Sequence, residues 1–250
     1  MSIKEYRKDQ WENGDSYLEY INEELSGFRK QAWKDQILAH FCSDRPLKIL
    51  DVGTGPGFFA CILSEEGHLV TGIDRSQGML SNAINNAKRL NVYPIFYKMD
   101  INDLKFEDNT FDAVISRNVT WTLERPAEVY SQFKRILKPG GKLLIYDANW
   151  HMHFYDEELM KQVRRNEREY LNIYHRERKV ASDDTRWFID LPLSNTYRPQ
   201  WDVKALREMG FEDIIIAENI GEKVYEEWEK GLYATAPCSL SFRRLKQYGE

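Results

Sequence analysis

The sequence predicts an α/β fold: a seven-stranded, mostly parallel sheet with helices on both faces. Seven short apolar segments have the length of strands, and most of them are separated by amphipathic segments of helical length. The first of these strands ends at Val52 and runs directly into a glycine-rich turn and a helix. A strand, a glycine turn and a helix in this order begin a βαβ unit, and that unit favours parallel strands.

Composition limits the class of protein. The chain has 250 residues, of which 42% are hydrophobic, and this is enough for one domain with a sizeable core. No apolar run approaches the ~20 residues that a membrane-spanning helix needs, and no apolar segment of the signal-peptide kind opens the sequence. Three scattered cysteines predict no disulfide framework. We therefore expect a cytoplasmic protein, a monomer or homodimer, whose net charge of −5 disfavours nucleic acid as a partner.

We expect one domain with four parts: an N-terminal helical cap (1–45), a ligand-binding core (46–147), a helical insertion after strand five (148–200) and the C-terminal part of the core (201–250). The cap is polar and helical, with aromatic residues interleaved. Tyr17, Tyr20 and Trp33 are candidates for contact with a substrate. Packing in the core is the simpler alternative for each of them.

The glycine turn and two carboxylates indicate which kind of ligand binds here. Glycine is needed in such a turn because a Cβ atom would hold the ligand away from the backbone. Asp51 precedes the first glycine by two residues, and Asp74 ends the second strand. A carboxylate at Asp51 would repel a diphosphate but suits an ammonium, while one at Asp74 can bind ribose hydroxyls. S-adenosylmethionine has a ribose and a positive charge but no phosphate.

The segment Asp51-Val-Gly-Thr-Gly-Pro-Gly57, with Gly72-Ile-Asp74, resembles motifs I and II of the class I S-adenosylmethionine-dependent methyltransferases. The resemblance is strongest to their small-molecule, methyltransferase type 11-like branch, and it extends from about Leu47 to Asp147. It implies a Rossmann-like fold, S-adenosylmethionine as cofactor and in-line methyl transfer to a small molecule. It also implies a set of cofactor-contacting residues: Asp51, Gly53, Thr54, Gly55, Gly57, Asp74, Arg75, Met79, Asp100, Ile101, Arg117 and Asn118.

The third and fourth strands also end in polar residues. In the resembling family, an acidic residue in the position of Asp100 accepts a hydrogen bond from the adenine amino group; a solvent-exposed loop carboxylate is the alternative. After the fourth strand, Arg117 could clamp a carboxylate of the cofactor or of an acidic substrate. Trp121 either faces a cationic or flat acceptor or packs against the next helix.

The predicted insertion begins where the fifth strand, Lys142–Asp147, ends. A tight turn at residues 138–141 precedes that strand, and a long charged helix is predicted over residues 156–179. Trp150 is expected to line the acceptor site, as insertions in this position commonly build it in the resembling family. His151 is a candidate general base, because imidazole titrates near neutrality. His151 and His153, with Asp147 nearby, could suggest a metal, but two histidines without a cysteine cluster are weak evidence, so we predict no metal site.

A strand at residues 213–217 and a last strand near residues 240–245 complete the prediction, the last one antiparallel at the sheet edge. Two alternatives to a methyltransferase stay open. One is a non-catalytic S-adenosylmethionine-binding protein, because methyl transfer requires no acid–base residue that the sequence would reveal. The other is an NAD(P)-dependent oxidoreductase, which is disfavoured by Asp51 and by Phe58, which stands where the dinucleotide fingerprint has its third glycine.

Overall fold

The computed structural model describes residues 15–180, 188–217, 220–234 and 239–244; of residues 15, 16 and 239–244 only the backbone is described. Two helices come first, α1 (Asp15–Ser26) and α2 (Phe28–Leu38). The core then alternates strands and helices: β1 (Lys48–Val52), α3 (Phe58–Glu65), β2 (Leu69–Asp74), α4 (Gln77–Leu90), β3 (Ile95–Lys98), β4 (Phe111–Arg117), α5 (Pro126–Ile136) and β5 (Leu137–Tyr146).

The second half of the chain is less regular. Two 3-10 turns, Thr120–Thr122 and Met152–Phe154, follow β4 and β5. The remaining elements are α6 (Glu157–Tyr174), α7 (Gln200–Glu208), β6 (Phe211–Ala217), α8 (Gly221–Val224), α9 (Glu227–Leu232) and β7 (Ser239–Arg244). Among the described residues, no helix combines the length and the apolar character needed to cross a bilayer.

Within the described residues, one sheet contains seven strands in the order β3-β2-β1-β4-β5-β7-β6. Strands β1 to β5 pair in parallel, and β7 is antiparallel to both of its neighbours. The predicted mostly parallel, Rossmann-like sheet with flanking helices is confirmed. The strand order reverses between β1 and β4, and in open α/β sheets such a reversal opens a crevice for a ligand at the carboxyl ends of the strands.

The core consists of two apolar layers, one on each face of the sheet. Ile49 belongs to the layer under α1, α2 and α3, whereas Leu50 and Val52 belong to the layer under α5 and α7. Successive side chains of a strand point to opposite faces, so a strand covered on both faces needs an unbroken apolar run. This explains why β1 is almost entirely buried.

Two helix or strand boundaries and the position of one strand differ clearly from the prediction. Helix α6 ends at Tyr174 rather than near residue 179, because His175 takes a left-handed conformation (φ +52°) that terminates it. Strand β5 already begins at Leu137, and residues 138–141 form an irregularity inside it: Leu137 pairs with Phe111 and Lys142 pairs with Ala113. The last strand is antiparallel, but it lies between β5 and β6 rather than at the edge.

Candidate functional site

The glycine turn between β1 and α3 lies close to the loop after β4. Gly53, Gly55 and Gly57 all have positive φ angles, of +66°, +52° and +84°. A Cβ atom at Gly53 would lie 2.4 Å from Cγ2 of Val119. A side chain at this position is therefore excluded both by the backbone conformation and by the neighbouring loop.

Asp51, in β1, holds the turn from one side. Its side chain is only 3% exposed, and its Oδ2 accepts hydrogen bonds from Thr54 Oγ1 (2.6 Å) and from the backbone N of Ala60 (3.1 Å). Burial raises the pKa of Asp51 to about 7, although the two hydrogen bonds act to lower it. Asp51 can therefore change its charge near neutral pH when a cation approaches.

Asp74, the last residue of β2, holds the turn from the other side. Its Oδ2 accepts a hydrogen bond from the backbone N of Gly55 (3.0 Å), and its Oδ1 accepts one from the backbone N of Ser76 (2.9 Å). Burial raises its pKa as well. Two carboxylates thus flank the glycine turn. The backbone N–H of Gly55, which could have bound a phosphate, already donates to Asp74.

Arg117, the last residue of β4, brings a positive charge to this edge of the sheet. Its Nη2 lies 2.7 Å from Oε2 of Glu24 in α1, and both side chains are buried. The guanidinium lies over the rings of Trp33, Phe58 and Phe59, with 5.0–5.6 Å between Cζ and the ring centroids. The buried Nη1 has no hydrogen-bond partner among the described residues.

Helix α1 carries two of the predicted substrate residues. Tyr17 Cε1 lies 3.4 Å from the position that a Cβ atom at Gly55 would take, which places this ring directly over the glycine turn. Tyr20 donates to Oε1 of Glu229 (3.1 Å) and accepts from Nη1 of Arg29 (2.9 Å), so its hydroxyl ties α1 to α2 and α9.

Trp33, the third candidate in the N-terminal part, is a core residue. It is 4% exposed and makes edge-to-face contacts with Phe59 and Tyr146, at centroid distances of 5.2 and 5.1 Å. These contacts agree with the packing alternative rather than with a residue that lines an acceptor pocket. Its indole nitrogen has no hydrogen-bond partner among the described residues.

Trp121 and Trp150 are both partly exposed at the carboxyl edge of the sheet. Trp121 donates its indole N–H to the backbone O of Asn118 (3.1 Å), and its ring contacts His151 and Phe188 edge-on. Trp150 contacts the ring of Tyr233 edge-on. Both rings therefore belong to the aromatic surroundings that the insertion builds beside the sheet.

The structure does not support His151 as a general base. Burial, with a smaller effect of His153, lowers the pKa of His151 to about 3, and its ring stacks on Phe188. A base whose pKa lies far below the working pH has little driving force for accepting a proton. Neither of its ring nitrogens has a hydrogen-bond partner among the described residues.

The other predicted cofactor residues lie along the same edge. Asp100 follows β3, is exposed and accepts hydrogen bonds from the backbone and side-chain nitrogens of Asn102, while Ile101 beside it is partly buried. Met79 is buried in the first turn of α4, and Arg75 is exposed. Asn118 has φ +56° and donates its backbone N–H to Tyr146 O.

Sequence reasoning assigned no cofactor or acceptor role to several buried carboxylates, among them Glu24 and Asp147. Asp147 immediately follows β5, so the rule that pointed to Asp74 and Asp100, an acidic residue after a strand, could have identified it. No sequence signal distinguishes Glu24 from the other acidic residues of α1. Within the described residues, no group of three or more His, Cys, Asp and Glu side chains is arranged to hold a metal.

Residues 50–145 match the family model described as a methyltransferase domain. Phosphoethanolamine N-methyltransferase 3 of Arabidopsis thaliana is 30% identical over 67% of this chain and 29% of its own length. Demethylmenaquinone methyltransferase of Tropheryma whipplei is 35% identical over 43% of this chain and 44% of its own length. The chain thus spans less than half the length of these curated relatives.

Two solved structures share the fold. Haemonchus contortus phosphoethanolamine N-methyltransferase 2, in complex with S-adenosyl-L-methionine, superimposes with a TM-score of 0.66 and 17% identity, covering 99% of this chain and 60% of the other. A SAM-dependent methyltransferase of Aquifex aeolicus superimposes with a TM-score of 0.57 and 20% identity, covering 91% and 96%.

Proposed function

We propose that this protein is a class I S-adenosylmethionine-dependent methyltransferase that transfers a methyl group to a small-molecule acceptor; the support is the match of residues 50–145 to the methyltransferase-domain model and the similarity to phosphoethanolamine N-methyltransferase 3. The cofactor supplies an activated methyl group, and the thioether that leaves needs no proton. The chain's own residues then have two tasks: to hold the acceptor in line with the methyl group and to keep water out. We treat the chain as one methyltransferase domain with the four parts defined above.

The observation that carries this proposal is the pair of carboxylates on the glycine turn, of which Asp51 is buried and Asp74 is partly buried. Asp51 suits the cofactor ammonium and would repel the pyrophosphate of NAD(P), and Asp74 suits the ribose hydroxyls. The Nη1 of Arg117, which has no hydrogen-bond partner in the described part of the chain, fits an anionic group, and the turn at Gly53, where a Cβ atom would clash, fits a close backbone approach. We assign the remaining cofactor contacts to Thr54, Gly55, Gly57, Arg75, Met79, Asp100, Ile101 and Asn118.

We assign the acceptor side to Tyr17, Tyr20, Trp121 and Trp150, and we no longer include Trp33. The relatives named above carry the names of small-molecule substrates, and this supports a small acceptor rather than nucleic acid. The net charge of −5 supports the same choice. A cytoplasmic location and a monomeric or homodimeric state remain part of the proposal.

We further propose that α1 closes over the cofactor as a cap. The support is the position of Tyr17 over Gly55 and the buried ion pair between Glu24 and Arg117. Closure of this kind assembles a pocket and excludes water from it. Hydrogen exchange should slow in residues 10–35 and 150–195 when S-adenosylhomocysteine binds; the stretches 10–14 and 181–187 lie outside the described residues. Protection confined to the glycine turn and β1 to β3 would contradict a cap.

Two experiments separate the methyltransferase from its alternatives. Calorimetry with S-adenosylhomocysteine, NADH and NADPH should detect binding of the first alone, and binding of either dinucleotide instead would favour an oxidoreductase. A Gly55→Val variant should lose the binding, because the new side chain would meet Tyr17. A panel of amines, thiols, phenols and carboxylates with methyl-labelled cofactor then tests transfer. Binding without transfer to any member would favour the non-catalytic alternative.

A further inference from the structure

We propose that Asp147 is a positioning residue that fixes Trp121 and Trp150 relative to each other on the acceptor side. The inference rests on the proposed function, since it concerns how the acceptor is held. Asp147 directly follows β5 and is 3% exposed. The two tryptophans come from different segments, the loop after β4 and the start of the insertion.

The carboxylate of Asp147 binds both tryptophan residues. Its Oδ1 accepts the indole N–H of Trp150 (2.9 Å) and the backbone N–H of Ala148 (3.0 Å). Its Oδ2 accepts the backbone N–H of Trp121 (2.9 Å) and the hydroxyl of Thr120 (2.6 Å). Each oxygen therefore has two donors, and one tryptophan is held on each.

Both indole rings are oriented by these bonds. The backbone N–H of Trp121 donates to Asp147 and its indole N–H donates to the carbonyl of Asn118, so the side chain is restrained at both ends. The indole of Trp150 is held by Asp147 itself. A change at this one carboxylate should therefore alter the position of one ring relative to the other.

Arg198 holds the carboxylate of Asp147 in place. Its Nη1 lies 3.1 Å from Oδ2 of Asp147, and its Nε and Nη2 donate to the two carboxylate oxygens of Asp202 at 2.8 and 2.7 Å. All three side chains are nearly inaccessible to solvent. Burial acts to lower the pKa of Arg198, but the neighbouring acidic groups outweigh it and hold the pKa well above its ordinary value.

The layout of this network suits positioning better than stability alone. Replacing a buried ion pair by apolar residues is often neutral for stability, so stability does not by itself require these charges. The network is buried at Asp202, Arg198 and Asp147, and it ends at two tryptophan residues that are partly exposed. Two of its partly exposed ends are thus the rings assigned to the acceptor.

The test compares Asp147→Asn with Asp202→Asn. Both substitutions remove a buried charge that pairs with Arg198, but only the first replaces one of the two oxygens that accept from Trp121 and Trp150 by an amide nitrogen, which donates. In 15N-labelled protein, the indole N–H signals of these two residues are assigned with Trp121→Phe and Trp150→Phe. Asp147→Asn should shift both signals and leave those of Trp33 and Trp228 in place. Asp202→Asn should lower the melting temperature without shifting the Trp121 and Trp150 signals.

Turnover supplies the second readout. With an acceptor from the panel, Asp147→Asn should lower kcat/KM for the acceptor by about tenfold or more, as expected for a misplaced acceptor. Its affinity for S-adenosylhomocysteine should stay within about twofold of that of the wild type. Asp202→Asn, assayed well below its melting temperature, should lose clearly less of its kcat/KM than Asp147→Asn, because it leaves both oxygens of Asp147 in place.

Unchanged indole signals in Asp147→Asn would overturn the proposal, as would equal shifts in both variants. If Asp147→Asn does not fold, the rate at which the indole N–H protons of the wild type exchange with solvent tests the proposal instead. The Trp150 N–H, bonded to a buried carboxylate, should exchange with solvent at least about tenfold more slowly than a free indole; exchange at the free rate contradicts the proposal. Failure of the wild type to bind S-adenosylhomocysteine would instead refute the proposed function.

Discussion

Lowering the pH from 7 to 6 should weaken the binding of S-adenosylhomocysteine about fivefold, because Asp51 must be ionised to receive the ligand's ammonium group. Burial raises the pKa of Asp51 to about 7 in the free protein. About one half of the Asp51 side chains are then ionised at pH 7, and about one tenth at pH 6. If the bound ammonium group lowers the pKa of Asp51 to the ordinary carboxyl range, the affinity is proportional to the fraction of free protein in which Asp51 is ionised.

Calorimetry measures both parts of this prediction. Titrations at pH 7 in two buffers of different ionisation enthalpy should show the release of about half a proton per bound ligand, and of about nine tenths at pH 6. The pH range stays at or below 7, because an α-amino group itself titrates near pH ~8.

The control is Asp51→Asn, which cannot titrate. Its affinity for S-adenosylhomocysteine should be lower at pH 7 and should not depend steeply on pH between 6 and 7. The variant retains Asp74, whose pKa is also raised.

Since the folded-state pKa of Asp51 lies above its unfolded value, the native state binds more protons between pH ~4 and ~7, and stability falls as the pH rises through this window. Asp51→Asn should thus melt at the same or a higher temperature at pH 7.5. Ligand binding without proton release, or a variant that keeps the pH dependence, would refute the reasoning.

Three further substitutions probe the same edge of the sheet and its opposite end. Asp74→Ala should weaken S-adenosylhomocysteine binding by roughly 1–3 kcal/mol, the value of a hydrogen bond to a charged group, and unchanged affinity by calorimetry would contradict its ribose role. Gly53→Ala should lower the melting temperature more than Gly67→Ala: both glycines have positive φ, but only at Gly53 does a Cβ atom meet Val119, and equal losses would discount that contact. At Asp112, burial acts to raise the pKa, but hydrogen bonds from Arg45, from the backbone of Lys48 and from Lys138 lower it to about 2. Its stabilising contribution is therefore present above pH ~4 and lost as the pH falls towards ~2; acid unfolding of Asp112→Asn should show less of this dependence, and ligand affinity should not change.

The glycine turn and its two carboxylates could be predicted because their signals are local. Asp51, Gly53 and Gly55 lie within five residues of one another, and Asp74 follows a recognisable strand. In such a segment the sequence order already determines which groups meet at the carboxyl edge. The alternation of apolar segments likewise sufficed to locate the first five strands along the chain and to predict a mostly parallel sheet.

The rest of the site depends on pairing between distant segments. Glu24 meets Arg117, and Asp147 meets Arg198, through contacts that no periodicity encodes. A charged residue that will be buried with a partner looks the same in the sequence as one that stays in water. For the same reason His151 was a plausible base in the sequence, whereas its burial against Phe188 gives it a pKa of about 3.

The place of β7 in the sheet has a consequence for the order in which the chain folds. During synthesis, β1 to β4 can find all their partners by the time β5 has left the ribosome. Strand β6, by contrast, emerges with none, because within the described sheet it pairs only with β7, which follows it in the chain. Until then two open strand edges, on β5 and β6, are available to other nascent chains, and such edges invite aggregation. The last strand thus closes a gap in a sheet that is otherwise already assembled, and chaperones should be needed most in the interval between the emergence of β6 and that of β7.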